Sequence, residues 1–304
     1  MTPAAAQPPP ELVITCDESG YEGEKLVGGT TRLFVHGSVR ISSADADECL
    51  RELRRRIKSP ATEYKANHLL REKHLPVLRW ILGPDGPLLG NAHIYLIDKT
   101  YFLLAKLIEV FDEPDDAAAR HLLAEGPASF GAARWAAFLE AANGVLRIKE
   151  RVEALSPIDT FFHMLDVLHR GGPLDRLRGR RERAESFRAG LAEDPAAFPV
   201  LDALIPAIER AVTHWSAGGA GVAVVHDRQN ALSPERVVQL KELCPDLTGL
   251  SLSASFTDAR VQLADIMAGT ARRIIEHRLN GVDNPELVAL FDPYADTGSL
   301  LVRT

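Results

Sequence analysis

The chain has 304 residues, 46% hydrophobic and 25% charged, with a formal net charge of −7. This is the make-up of an ordinary globular protein with room for one large domain or two modest ones. The acidic balance excludes a broadly basic nucleic-acid coat but allows a local basic groove. No run of about 18 apolar residues occurs, so neither a membrane span nor a membrane partner is expected. Cys16, Cys49 and Cys244 stand apart with no CxxC pair, which indicates neither a zinc site nor a disulfide framework. A reducing, cytoplasmic setting follows, with Cys16 as a small core residue.

Residues 1–10, "MTPAAAQPPP", lack the basic start and apolar core of a signal peptide and read as a short disordered arm. From residue 11 an apolar, partly β-branched run reaches Cys16 and predicts a strand with Asp17 at its end. "DESG" and the residues after it then form a hairpin-like connection to a second strand over 31–41. Residues 42–59 open on a Ser-Ser-Ala-Asp cap and carry Cys49, Leu50, Leu53 and Ile57 at helical spacing, up to Pro60. "ATEYKANHLL" reads as an extended piece leading into a helix over 67–82, and "NAHIYLIDKTY" (91–101) as a strand. Residues 102–215 show helical periods only and predict an all-helical insertion. A strand at 220–227, a capped helix "SPERVVQLKEL", the alternating "LTGLSLSAS" and a long helix "DARVQLADIMAGTARRIIEHRL" complete the pattern. The expected organisation is an α/β core over 11–101 and 216–280, interrupted by the insertion 102–215 and followed by an extension over 281–304.

Several positions put an acid where packing does not call for one. Asp17 and Asp227 each follow an apolar strand, and neighbouring parallel strand ends converge on one edge. In "EYK" an extended backbone points Glu63 and Lys65 the same way. Asp265, in "VQLADIMAG", has Val261, Gln262, Ala268 and Gly269 three and four residues away, so it projects from an inward face. A buried carboxylate there needs a cation, a metal or a proton. The plainer readings are an Asx turn at Asp17, an exposed ion pair at "EYK" and a helix acid bonded to Arg or backbone at Asp265. Asp258 is expected to cap the last helix. Taken together, Asp17, Glu63, Asp227 and Asp265 are hard oxygen donors suited to Mg2+ or Mn2+. A pair of such ions about 3.5–4 Å apart can orient water and stabilise the leaving oxygen in phosphodiester cleavage. Glu18 points away from Asp17; with Ser19 and Gln262 it is expected to support the acids from outside the ligand set.

"DESG", "EYK", "HD" and "VQLADIMAG", in this order, resemble the bacterial domain-of-unknown-function-3800 family, which is placed in the ribonuclease-H-like superfamily. The resemblance spans residue 11 to about 278, with the insertion its least matched part. It implies a mixed sheet flanked by helices, with acids on the first strand, beside an early helix, at the end of the fourth strand and on the last helix. On that pattern Asp17, Glu63, Asp227 and Asp265 hold two metal ions for phosphodiester hydrolysis. An acid followed by E-x-K also describes the restriction-endonuclease-like pattern, here Asp17, Glu63 and Lys65, with Lys65 orienting or deprotonating water. That alternative leaves Asp227 and Asp265 unexplained.

Candidate phosphate contacts are Arg176, Arg178, Arg180 and Arg181 in a loop-like basic stretch after "GGP", and Arg272 and Arg273 two turns past Asp265. The expected partner is nucleic acid, RNA or DNA, with self-association or a larger complex formed through the insertion. The competing class is a non-catalytic scaffold of the same fold that binds nucleic acid or protein. A third, suggested by the family association, is an effector acting within a larger complex, for example in phage defence.

Overall fold

The computed structural model describes residues 12–58, 63–148, 156–169, 172–194, 199–216, 219–282 and 284–301. In chain order the elements are β1 (Leu12–Ser19), β2 (Leu33–Val39), α1 (Ser43–Ile57), α2 (Ala66–Leu69), α3 (Leu75–Leu82), β3 (Ala92–Asp98), α4 (Lys99–Phe111), α5 (Asp116–Phe130), α6 (Ala132–Leu146), α7 (Pro157–Val167), α8 (Pro173–Arg178), α9 (Arg181–Glu193), α10 (Leu204–Trp215), β4 (Val222–Asp227), α11 (Pro234–Leu243), β5 (Leu247–Ser253), α12 (Ala259–Leu279) and α13 (Pro285–Ala289). No described helix is long and apolar enough to cross a membrane. The expected arm over 1–10 lies outside the described residues.

Two compact units divide the chain. One holds the described residues through Tyr21, with Phe34–Leu96 and Leu204–Ser299; the other holds Glu22–Leu33, Ile97–Ala203 and the residues from Leu300 on. These boundaries differ from the expected 102 and 215. Asp98 ends the strand early because its carboxylate accepts the amides of Thr100 and Tyr101 and caps α4. At the other side α10 belongs to the sheet unit, where its stripe of Leu204, Ala207, Ile208, Ala211, Val212 and Trp215 is buried. The C-terminal segment also joins that unit: Ala295 bridges Ile94 of β3.

The sheet unit is built on five strands in the order β3-β2-β1-β4-β5. β1 runs antiparallel to β2 and parallel to β4, and β4 runs parallel to β5. β1 extends through Ser19, two residues beyond the expected end, so Asp17 and Glu18 are paired strand residues opposite Gly37 and His36. The chain turns at Gly20 instead, where φ is +89°. The helix expected over 67–82 is broken into α2, a 3-10 turn (Glu72–His74) and α3. Pro76 lies in the first turn of α3 and has no N–H to continue a preceding helix.

Strand alternation sends Thr15, Asp17 and Gly37 to one face of the sheet and Cys16, Glu18, His36 and Ser38 to the other. α10 covers the second face, where the Trp215 indole donates to the Ser38 hydroxyl at 2.8 Å. α12 covers the first face and lies almost on the backbone at Gly37. A Cβ there would stand 2.8 Å from the Ala264 carbonyl oxygen and 3.2 Å from the Ala268 amide nitrogen. α12 starts where Asp258 caps it, accepting the Arg260 amide.

Helices α4–α9 build the second unit around Phe111, Phe138 and Phe161, whose rings meet at 5.8 and 6.1 Å. Asn143 fastens the segment after β1 to it, accepting the Leu26 amide at 2.9 Å and donating to the Glu24 carbonyl at 2.8 Å. Lys99 is buried with its ammonium 2.7 Å from Glu22. Burial alone would raise the Glu22 carboxyl; Lys99 and the amide and hydroxyl of Thr30 overcome this and bring it down to about 2.

Gly37→Ala is expected to destabilise the protein by roughly 1–3 kcal/mol, the usual cost of forcing atoms into a filled contact. Urea unfolding followed by circular dichroism measures it.

Candidate active site

The resemblance and the carboxylate pattern point to one end of the parallel β1–β4 pair. Cys16 is opposite His226 in this register, so Asp17 and Asp227 are neighbours at the strand ends. Asp17 is only 5% exposed, and its Oδ1 accepts the Glu18 amide at 2.7 Å. Asp227, the last residue of β4, accepts the Ser255 amide at 3.0 Å. The Ser255 hydroxyl reaches Glu63 at 3.3 Å, so one short turn (Ser255–Thr257) holds two of the acids. Asp265 comes down from α12 and accepts the Lys65 ammonium at 2.8 Å. The structure therefore brings Asp17, Glu63, Lys65, Asp227 and Asp265 into one electrostatic cluster from β1, β4, α12 and the segment before α2.

The cluster holds more negative charge than its cation offsets. Burial first, then the carboxylates of Glu18, Asp265 and Asp227, push Asp17 up to about 9. Burial also raises Asp265; Lys65 opposes this, while Glu63 and Asp227 add to it. Lys65 is penalised by burial, yet its bond to Asp265 holds its ammonium above the usual lysine value. This side chain is 57% exposed, so the pair is screened by water and contributes little to stability.

Behind the acids, on the α10 face, Glu18 accepts from Gln229 Nε2 at 2.6 Å and approaches His226 at 3.7 Å. Glu18 thus points away from Asp17, and burial raises its carboxyl. His226 Nδ1 lies 2.9 Å from the Asp227 carbonyl, which only accepts, so that nitrogen carries a proton. Its Nε2 lies 3.2 Å from the Nε2 of fully buried His36. Burial, with His226 and His93 nearby, holds His36 well below the usual histidine range. Ser19 supports the same edge as a strand residue, its hydroxyl accepting from Arg272 at 2.9 Å. Gln262 is half-buried on α12.

The expected phosphate contacts fare differently. Arg176, Arg178, Arg180 and Arg181 lie on and between helices α8 and α9, not in a loop. Arg176 pairs with Asp115 at 2.8 Å, Arg178 with Asp166 at 2.8 Å, Arg180 with Asp112 at 2.7 Å, and Arg181 with Asp159 and Glu185. Each pair lies within the helical unit and leaves its arginine about one-third to one-half exposed. Arg272 is engaged by Ser19 and by Glu276 at 2.6 Å. Arg273 is half-buried and has no ion pair among the described residues.

Sequence reasoning passed over Ser255, which bonds Asp227 and Glu63, Gln229, which bonds Glu18, and Arg228, exposed directly after Asp227. It also passed over His93, His214 and Asp296. Among the described residues these three alone bring ligand atoms within 4.8 Å of one another. Yet the two imidazoles stack, 4.0 Å apart and 22° from parallel, so their in-plane lone pairs run side by side and do not converge. Asp296 is also already shared by His93 at 2.8 Å, Arg210 at 2.5 Å and the Gly298 amide at 2.6 Å. The trio fastens the C-terminal segment to β3 and α10. Burial first, then His214, depresses His93 to about 4 against the pull of Asp296.

Comparison with protein-family models, curated proteins and solved structures finds no match.

Asp17 ionises near 3.8 in an unfolded chain and near 9 in the folded one. Above pH 4 the unfolded state sheds this proton first, so its contribution to stability is full below that value and is lost as pH rises towards 9. Asp17→Asn cannot ionise. In chelator it is expected to raise the melting temperature, with a gain that grows from pH 5 to 8 and is on the order of 2–4 kcal/mol at pH 7. Thermal melts across that range check both sign and trend.

Proposed function

We propose that this protein is a divalent-metal-dependent nuclease on a ribonuclease-H-like core, with Asp17, Glu63, Asp227 and Asp265 as the metal-binding carboxylates. The observation that carries the reading is Asp17: a buried carboxyl, raised to about 9, with further acids converging on it and Lys65 paired to only one of them. A structural ion-pair network would have balanced that charge; a cation site needs the excess. The order of the acids supports the same reading, since they stand on β1, before α2, at the end of β4 and on α12. Those match the positions implied by the resemblance, except that the short helix α13 follows α12. Asp265 also favours this reading over a site of Asp17, Glu63 and Lys65 alone, because it bonds Lys65 directly.

The donor set fits Mg2+ or Mn2+: every member is a hard oxygen, and the nearby histidines face the opposite side of the sheet. Bound there, the ions would polarise a phosphodiester and supply a water nucleophile at neutral pH. Asp17 and Asp227 are held by strand pairing. Ser255 keeps Asp227 and Glu63 in place, so that neither must be reoriented for binding. Asp17 must give up its proton as the ions bind, so affinity rises with pH. Lys65 sits at the mouth of the cluster, where its ammonium offsets phosphate charge.

Cleavage of single- and double-stranded DNA, RNA and a hybrid, with Mg2+, Mn2+ or chelator, tests the reading. Metal-dependent cleavage is expected for at least one substrate, with a loss of more than about 100-fold in Asp17→Asn and in Asp265→Asn. Binding without cleavage under every condition would favour the scaffold. Ser255→Ala keeps the backbone amide bond to Asp227 but loses the hydroxyl on Glu63. It is expected to weaken Mn2+ affinity by roughly tenfold, the low end for loss of an outer partner, as read by isothermal titration.

A further inference from the structure

We propose that Phe256 is a stacking platform for an unpaired nucleobase beside the acid cluster, which makes the substrate single-stranded at this point; the proposal rests on the nuclease reading. Phe256 is 71% exposed, and it is the one aromatic among the strongly exposed large apolar side chains of the described residues. A lone apolar side chain at a surface is ordinary. What sets this one apart is its place and its support.

Its neighbour Ser255 bonds Asp227 through the amide and Glu63 through the hydroxyl. Adjacent α-carbons are about 3.8 Å apart, so the ring starts within a residue of the group that holds two of the acids. The turn beneath it is closed on its other side. The Thr257 amide and hydroxyl both donate to the Ala254 carbonyl, at 2.9 and 2.7 Å, and the Thr257 hydroxyl lies 3.3 Å from that of Ser253. A backbone held this firmly presents the phenyl face to water, where folding gains nothing from it.

The chemistry of the occupant follows from the ring and its surroundings. A phenyl group has no hydrogen-bond donor or acceptor, so it selects a flat, apolar face and reads no base identity. Inside a duplex those faces are covered by the neighbouring base pairs, so within a strand only an unpaired base can occupy the platform. Arg228, exposed directly after Asp227 and without an ion pair among the described residues, supplies a cation for the connecting phosphates. Arg260, on the other side of the turn, is engaged by Asp258 at 2.7 Å and leaves that role to Arg228.

The test is steady-state cleavage with Mn2+ of labelled single strands, of matched duplexes, and of single strands carrying one abasic position moved a nucleotide at a time. Phe256→Ala is expected to raise KM by roughly tenfold with kcat nearly unchanged, and Phe256→Trp to restore KM. One abasic position should cost wild type a similar factor and cost Phe256→Ala nothing more, and duplex should be the poorer substrate. An unchanged KM in Phe256→Ala, abasic sensitivity that survives in that variant, or equal cleavage of duplex would overturn the platform. If cleavage is lost in Asp17→Asn yet indifferent to Phe256→Ala, the platform fails and the nuclease stands. If wild type cleaves no nucleic acid, both fail.

Discussion

The approach of α12 to the β1–β2 pair is the constraint on which the site depends. Gly37 lies opposite Asp17, and the missing Cβ lets the backbone of α12 settle at Ala264 and Ala268. Asp265 is the residue after Ala264, so the same contact that seats the helix delivers its carboxylate to the strand acid. The small side chains of "LADIMAG" are needed for this reason: a larger residue at 264 or 268 would lift the helix and separate the acids. Packing and site construction are one event here, and the energy of burying the helix is what holds like charges together.

The central strands then divide the polar chemistry between two faces. Alternation puts Asp17 under α12 and Glu18 under α10, although they are consecutive. On one side the carboxylates crowd, and on the other Glu18 meets Gln229 and His226, with His36 beyond. The α10 side is closed: His36 and His226 have no exposure at all. At the α12 side Asp227, Glu63 and Asp265 are half-buried, leaving the acids open to solvent and to a ligand. A buried polar layer behind an open acidic layer keeps the strand ends rigid while leaving the charge excess where a cation can reach it.

The helical unit shows how little a run of like charges says by itself. "RLRGRRER" has the density of a phosphate-binding stretch, but Asp112, Asp115, Asp159 and Asp166, spread over more than fifty residues of sequence, return to meet it. Arg228, a single arginine with no basic neighbours, remains without an ion pair among the described residues and stands next to Asp227.

Local pattern was enough to reveal the capped helices, the strands around Asp17 and Asp227, and the inward face of Asp265. Each of these depends on residues within one or two turns: Asp258 accepting the Arg260 amide, Ser42 accepting that of Asp45, small residues spaced along α12. Tertiary structure decided the rest. The end of β1 moved because pairing with β2 carries extended backbone past an acid. The boundaries of the helical unit moved because α10 had a sheet face to cover. The arginines of α8 and α9 gained acid partners because the α4–α5 connection and α7 return to meet them. The sequence by itself determined which acids are misplaced for a simple core, since the cost of burying a charge is readable from the apolar residues around it. Only the fold decided which acids share one site and which neighbours complete it, because those distances are set by strand register and helix seating between segments some two hundred residues apart.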